Sequence, residues 1–236
     1  RALLILFQAM DSGGKDSAIK HIMSGINPQG CEVTSFKHPS TQELEHNYIW
    51  RHYIRLPDRG RIGIFNRSVY ENVLITKVHP ELILSENLPG ITAVKDITPA
   101  FWNRRYRQIN QFERTVSENG TVILKFFLHL SKEEQRSRFL ERIDNPEKNW
   151  KFSYADIRER HYWDDYQQAY EQAINRTSTT YAPWYIIPAD HKLFTHVLIG
   201  NIIAYTLEKM NIQMPLPTDE ELELLQKGKE ALNAEK

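Results

Sequence analysis

One short stretch limits the choice of fold more than any other. It is the apolar run Ala2-Leu3-Leu4-Ile5-Leu6-Phe7, then Met10-Asp11-Ser12-Gly13-Gly14-Lys15, then a helical pattern beginning near Lys15. An unbroken apolar run predicts a strand buried on both faces. Strand, Gly-Lys turn and helix in that order aim backbone N–H groups and a helix N-terminus at one point, which is an anion site. The usual phosphate loop, G-x-x-x-x-G-K-[ST], opens on Gly and has a hydroxyl after the lysine. This chain has Ala9 and Asp16 there. The hydroxyl ordinarily ligates Mg²⁺, so a metal in this loop needs other oxygens.

The alternation continues along the chain. Strands are predicted over 2–8, 32–36, 61–65, 121–130 and 184–187. Helices are predicted over about 15–25, 41–55, 98–118, 131–142, 155–175 and 191–210. Asn27-Pro28-Gln29-Gly30 and Pro57-Asp58-Arg59-Gly60 read as turns. Asn119-Gly120 stops a helix, and Ser131-Lys132-Glu133-Glu134 has capping-box spacing. Strands apolar on both faces and alternating with helices predict a parallel sheet between helical layers. Ligands in such sheets bind at the strands' carboxyl ends. The loop, Lys37 and Asn66-Arg67 follow the first three strands, so they are expected on one edge.

With 236 residues and 41% hydrophobic content, one α/β domain is expected, with an acidic peripheral tail over about 215–236. The single Cys31 excludes an intramolecular disulfide framework and a multi-cysteine metal site, which points to a reducing, cytoplasmic compartment. No apolar run is long enough for a membrane span, and no signal peptide is visible. The chain starts at Arg1 directly before a core strand, so a preceding segment is expected. Net charge is zero but uneven: residues 1–130 carry 16 Lys and Arg against 12 Asp and Glu, while residues 166–236 carry six against nine. The basic excess shares a half with the glycine loop. Arg51, Arg55, Arg59, Arg61 and Arg67 fall within that half and read as an anion path, with solvated surface charge as the plain alternative.

The chemistry follows from the loop. Ser12, Gly13 and Gly14 allow the turn, and Lys15 reaches a phosphate oxygen. Asp11 inside the loop and Asp16 after the lysine both repel phosphate unless a divalent cation intervenes. Asp11 is therefore read as a metal ligand bridging cation and phosphate. The third strand ends in Asn66, where a metal-binding Asp is usual; Asn66 with Glu71 is read as a split version of that acid. No histidine has a convincing catalytic partner, and His38-Pro39 and His79-Pro80 read as structural. Trp102, Trp150, Trp163 and Trp184 read as packing residues, with one aromatic near the lid available to stack on a base.

The stretches MDSGGKD and FNRSVYENVL, with INPQG, SFKHPS, RGRIGIFNRSVYENVL, EEQRSRFLERIDNPEKNWKFS and ERHYWDDYQQAY, resemble family-2 polyphosphate kinases, and within them the class accepting both AMP and ADP. The resemblance implies an α/β, P-loop kinase-like three-layer sandwich with a five-stranded parallel sheet and a helical lid over about 131–165. It implies Mg²⁺-assisted phosphoryl transfer between inorganic polyphosphate and AMP or ADP, in either direction, with Mn²⁺ as a substitute metal. Adenine nucleotides are the expected partners, with guanine as a second base, in a homodimer or homotetramer that binds neither nucleic acid nor membrane. On this chain the implied catalytic residues are Asp11, Lys15, Asn66, Arg67 and Glu71, with Asp11 and Asn66 at the metal. Phosphate binding falls to Ser12, Gly13, Gly14, Asp16, Lys37, Arg51 and Arg55, and lid charge to Arg138, Arg142, Arg158 and Arg160. Arg59, Arg104 and Arg105 are further candidates for holding the polyanion, which has no bases to stack. The family often has Ala at Gly13 and Gly at Ser17; both exchanges are small and are not expected to disturb the loop.

Two rivals remain at this level. An ATP-dependent nucleotide kinase would share the fold, but Asp11 and Asp16 disfavour ordinary Mg·ATP geometry. A nucleic-acid-binding module would use the same basic surface, against which stand zero net charge and the lack of an RNA-binding motif.

Overall fold

The computed structural model describes residues 1–213 and 216–235; Pro215 and Lys236, the two ends of the expected tail, lie outside them. The chain divides into two compact units, residues 1–200 and 201–236.

The first unit is built on β1 (Ala2–Ala9), which pairs in parallel with β3 (Ile62–Asn66) on one side and β4 (Thr121–His129) on the other. β2 (Cys31–Ser35) lies outside β3 and β5 (Trp184–Pro188) outside β4, so the strand order is β2-β3-β1-β4-β5. Every pairing is parallel, as the strand–helix alternation requires. The helices of this unit are α1 (Lys15–Met23), α2 (Thr41–Leu44), α3 (Trp50–Tyr53), α4 (Ile75–Val78), α5 (Pro99–Glu118), α6 (Lys132–Asp144), α7 (Tyr154–Glu159), α8 (Trp163–Thr177) and the start of α9 (Lys192–Met210). The second unit holds the rest of α9 and α10 (Asp219–Ala234), whose Thr218 closes a capping box with Glu221. The acidic tail is therefore largely helical.

The alternation of side chains along β1 explains its burial. Leu4 and Leu6 join the core that α5 and α8 cover with Tyr106, Ile109, Phe112, Ala169 and Tyr170. Leu3, Ile5 and Phe7 point to the opposite face by the two-residue period, where Phe7 stacks on Phe126 at 5.4 Å. Beneath the site a buried network ties four elements together. Lys125 on β4 donates to Glu113 of α5 at 2.6 Å, to the Tyr70 hydroxyl at 2.8 Å and to the Thr177 carbonyl at 2.7 Å. Tyr70 in turn donates to Glu113 at 2.6 Å. This fixes the turn after β3, which carries Arg67 and Glu71.

Three expectations need correction. β2 is not apolar on both faces: it is an edge strand, and Val33 is 46% exposed. The expected helix over 41–55 is two short ones, because the Asn47 side chain accepts from the Ile49 and Trp50 amides and restarts the chain. The expected helix over 155–175 is α7, a 3₁₀ turn over Arg160–Tyr162, and α8.

Candidate active site

The loop leaves β1 at its carboxyl end. Ser12 has φ +60° and Gly14 φ +91°, both left-handed, and α1 opens at Lys15 without a side-chain cap. The amides of its first turn are thus left for a ligand. Lys15 is 8% exposed and donates to the Ala9 carbonyl at 3.0 Å. Burial, and next the Arg67 charge, bring its pKa down to about 8. The Ser12 hydroxyl is buried with no hydrogen-bond partner.

The loop forms one wall of a cleft of about 680 Å³. Asp11 through Ser17, Lys37, Asn66 and Arg67 line it from the sheet, and Arg138, Arg142, Lys148, Lys151, Asp156 and Lys192 from later elements. Arg67 is the hub. It donates to Asp11 Oδ1 at 2.7 Å and to Glu71 Oε2 at 3.2 Å, and Glu71 first, then Asp11, raise its pKa further. Asn66 donates to Asp16 Oδ1 at 2.8 Å. The geometry therefore brings Asp11, Lys15, Asp16, Asn66, Arg67 and Glu71 together. It also gives each acid a nitrogen partner: Asn66 serves Asp16, and Arg67 serves Asp11 and Glu71.

Beside the cleft lies a second cavity of about 390 Å³, with mainly apolar walls. It shares Phe36, Lys37 and Arg67 with the cleft. Leu44, Tyr48, Ile75, Thr76 and Leu82 line its interior. A third pocket, about 130 Å³, sets Asp11, Arg67 and Glu71 against Asp156, Glu159, Arg160, Tyr166 and Tyr170. Burial first, then the Asp11 charge, raise the Asp156 pKa.

The arginines divide sharply. Arg51 lines the apolar cavity rather than the cleft, paired with Glu43 at 3.1 Å and donating to the Lys37 carbonyl at 3.0 Å. Arg55 lines none of these cavities and is 4.0 Å from Glu32. Arg59 and Arg61 belong to the turn that enters β3, at the sheet's other end from the loop. Arg105 is buried against Glu86 at 2.5 Å, and Arg104 packs over Phe101. Among the lid arginines, Arg138 is committed to protein: it donates to Ser12 O at 3.1 Å, Ala189 O at 2.5 Å and Glu134 at 2.8 Å. Arg142 faces the cleft and pairs with Asp156 at 3.8 Å. Arg160 donates to Gln135 at 2.6 Å, while Arg158 lines none of the three pockets.

Sequence reasoning missed several residues here. Gln135, 1% exposed, donates to the Asp11 carbonyl at 2.8 Å, so with Arg138 it pins the loop from behind. Lys148, Lys151 and Lys192 line the cleft, and their signal was basic residues within the polar stretch 145–152 and at the start of the helix after β5. Trp150, read as a packing residue, is 78% exposed at the cleft.

A parallel sheet with a glycine-lysine loop after its central strand, a carboxylate inside that loop and basic side chains across the cleft from it defines a phosphotransferase of the P-loop kinase class. Comparison with known proteins narrows this. Residues 1–215 match the family model for Polyphosphate kinase 2, and the chain belongs to that family. It is 54% identical over 217 residues to an ADP-polyphosphate phosphotransferase of Rhodopseudomonas palustris, covering 92% of this chain and 74% of that one. It is 47% identical over 216 residues to an AMP/ADP-polyphosphate phosphotransferase of Meiothermus ruber, covering 91% and 75%. The crystal structure of Polyphosphate Kinase 2 from Arthrobacter aurescens TC1 superposes with a TM-score of 0.84 at 36% identity, covering 96% of this chain and 76% of that one.

Proposed function

We propose that this chain transfers the terminal phosphoryl group of inorganic polyphosphate to AMP and ADP, and catalyses the reverse. The carrying observation is the meeting of two unlike cavities at Arg67: a polar cleft on the glycine loop and an apolar cavity of nucleoside size. The cleft suits the phosphate chain. The apolar cavity suits the acceptor's base and sugar, with Lys37 and Arg67 between them for the acceptor phosphate. The transferred group then lies over the loop amides and Lys15. An acceptor phosphate is already anionic, so positioning and charge neutralisation carry the reaction and no strong base is needed.

A divalent cation, Mg²⁺ or Mn²⁺, fits the donor set. Asp11, Asp16 and Asn66 offer hard oxygens along one cleft wall. No group of three or more His, Cys, Asp or Glu side chains forms a ready cage among the described residues. That suits a cation held by one or two carboxylates together with substrate phosphates. Such an ion would neutralise phosphate charge that Asp11 and Asp16 otherwise repel. Arg142, Lys148, Lys151 and Lys192 would carry the rest.

Among the described residues no helix is long and apolar enough to cross a membrane. Cytoplasmic placement, a homodimer or homotetramer, and guanine as a second base belong to the proposal. A narrower reading, ADP alone as acceptor, is favoured by the likeness to the ADP-polyphosphate phosphotransferase of Rhodopseudomonas palustris. Filling the apolar cavity tests the assignment of the two cavities. Leu82→Trp is expected to raise the KM for AMP and ADP at least tenfold while leaving the polyphosphate KM in place. A shift confined to polyphosphate would reverse the two sites.

A further inference from the structure

In-line transfer puts the acceptor and the leaving chain on opposite sides of the migrating phosphoryl group. The acceptor side is set by the cavity sharing Phe36, Lys37 and Arg67 with the cleft, next to β2 and β3. The leaving polyphosphate must run the other way, toward the β5 edge of the sheet. There the cleft wall is Ser17 on α1 and Lys192 at the start of α9.

Directly beyond that wall, His196 Nε2 lies 3.2 Å from the Ser17 hydroxyl, and the His21 ring stacks on His196 at 4.5 Å and 19°. Among the described residues neither imidazole has a carboxylate within ion-pair distance. The acids nearby are engaged: Asp190 accepts from the Ser131 amide at 2.8 Å, and Glu141, which Lys192 influences, is bonded to Lys148. Burial, then the charges of His21 and Lys192, hold the His196 imidazole below its ordinary pKa. Two stacked imidazoles and an ammonium group without their own anion form a basic patch continuous with the cleft.

We infer that His21 and His196, with Lys192, form a second anion site that holds the polyphosphate chain after it leaves the cleft, and so select long chains over short ones. This deepens the donor assignment above and rests on it. The imidazole N–H groups donate to successive phosphate oxygens, and the chain's charge favours their protonated form.

The test compares two ligands on the wild type and on the double variant His21→Gln/His196→Gln. The measurements are the KM for long-chain polyphosphate and the inhibition constant of tripolyphosphate, whose three phosphates leave fewer contacts beyond the cleft. The double variant is expected to raise the long-chain KM about five-fold, from the loss of one exposed and one half-buried phosphate contact. Tripolyphosphate inhibition, the nucleotide KM and kcat should not move. His21→Lys, at an exposed position, should lower the long-chain KM and guards against a folding defect in the double variant. An unchanged long-chain KM, or an equal shift for tripolyphosphate, overturns the second site. A wild type that takes no phosphoryl group from any polyphosphate overturns the donor assignment and the second site together.

Discussion

Asp11 is the residue on which the site turns. A carboxylate inside a phosphate loop is unfavourable unless something positive stands beside it, and Arg67 does so at 2.7 Å. A cation bound with the substrate would have to share Asp11 with Arg67 or displace it, which links metal binding to the posture of Arg67 and Glu71. Asp11→Asn keeps the shape and removes the charge. It should lower kcat about a hundredfold or more while the fold is retained, and near-normal turnover would take Asp11 out of the metal site. Lys15 makes a second prediction. Its folded pKa, about 8, lies below its ordinary value of 10.5, so between these the unfolded chain holds a proton that the folded chain has lost. Stability of the ligand-free protein should therefore rise with pH across that window. A bound phosphate restores the proton, so polyphosphate affinity should fall as pH rises through about 8. Calorimetric titration at that pH in buffers of different ionisation enthalpy should register proton uptake, and proton release would contradict the account.

At the scale of elements, the strand–loop–helix unit was legible because its signals are local: an apolar run, two glycines, a lysine. What was not legible is how the loop is packed. A Cβ on Gly13 would lie 2.5 Å from the Ala9 Cβ and 2.8 Å from the Met10 carbonyl oxygen. Ala9 occupies the place where the usual loop has Gly, and its methyl group fills the space a side chain on Gly13 would need. The exchange is therefore not symmetrical: glycine at 13 leaves the loop its room, while a side chain there would meet Ala9 and the Met10 carbonyl. Gly13→Ala should cost about 1–3 kcal/mol by denaturant unfolding, and Ala9→Gly in that background should recover part of it, the Met10 carbonyl contact remaining. Additive losses would remove the coupling. The α6 side chains show the same limit. The capping pattern places the helix in the sequence, but Arg138 ends on backbone carbonyls and Gln135 on the Asp11 carbonyl. Only the packing of α6 against the loop decides that, and no spacing in the sequence encodes it.

Across the whole molecule, the strand order β2-β3-β1-β4-β5 was not read from the sequence, whereas the convergence of Asp11, Asn66 and Arg67 on one edge follows from parallel pairing, which brings the strands' carboxyl ends together. The arginine group failed as a group for the same reason. Arg59 and Arg61 enter β3 at the opposite end from the loop, and Arg51 faces the neighbouring cavity. Closeness in sequence is not closeness on a sheet when a strand runs between. The cleft's further cations, Lys148, Lys151 and Lys192, come from the segment between α6 and α7 and from the helix beyond β5. The central claim is that one molecule joins a phosphate-chain cleft to a nucleotide cavity and moves a phosphoryl group between them. The most direct measurement is ³¹P NMR of the protein with Mg²⁺, long-chain polyphosphate and AMP, then ADP. Transfer of terminal phosphoryl groups predicts β-phosphate and then γ-phosphate resonances growing as the internal-chain polyphosphate signal declines. Nucleotide signals that stay unchanged with polyphosphate, but change when ATP is the donor, would contradict it.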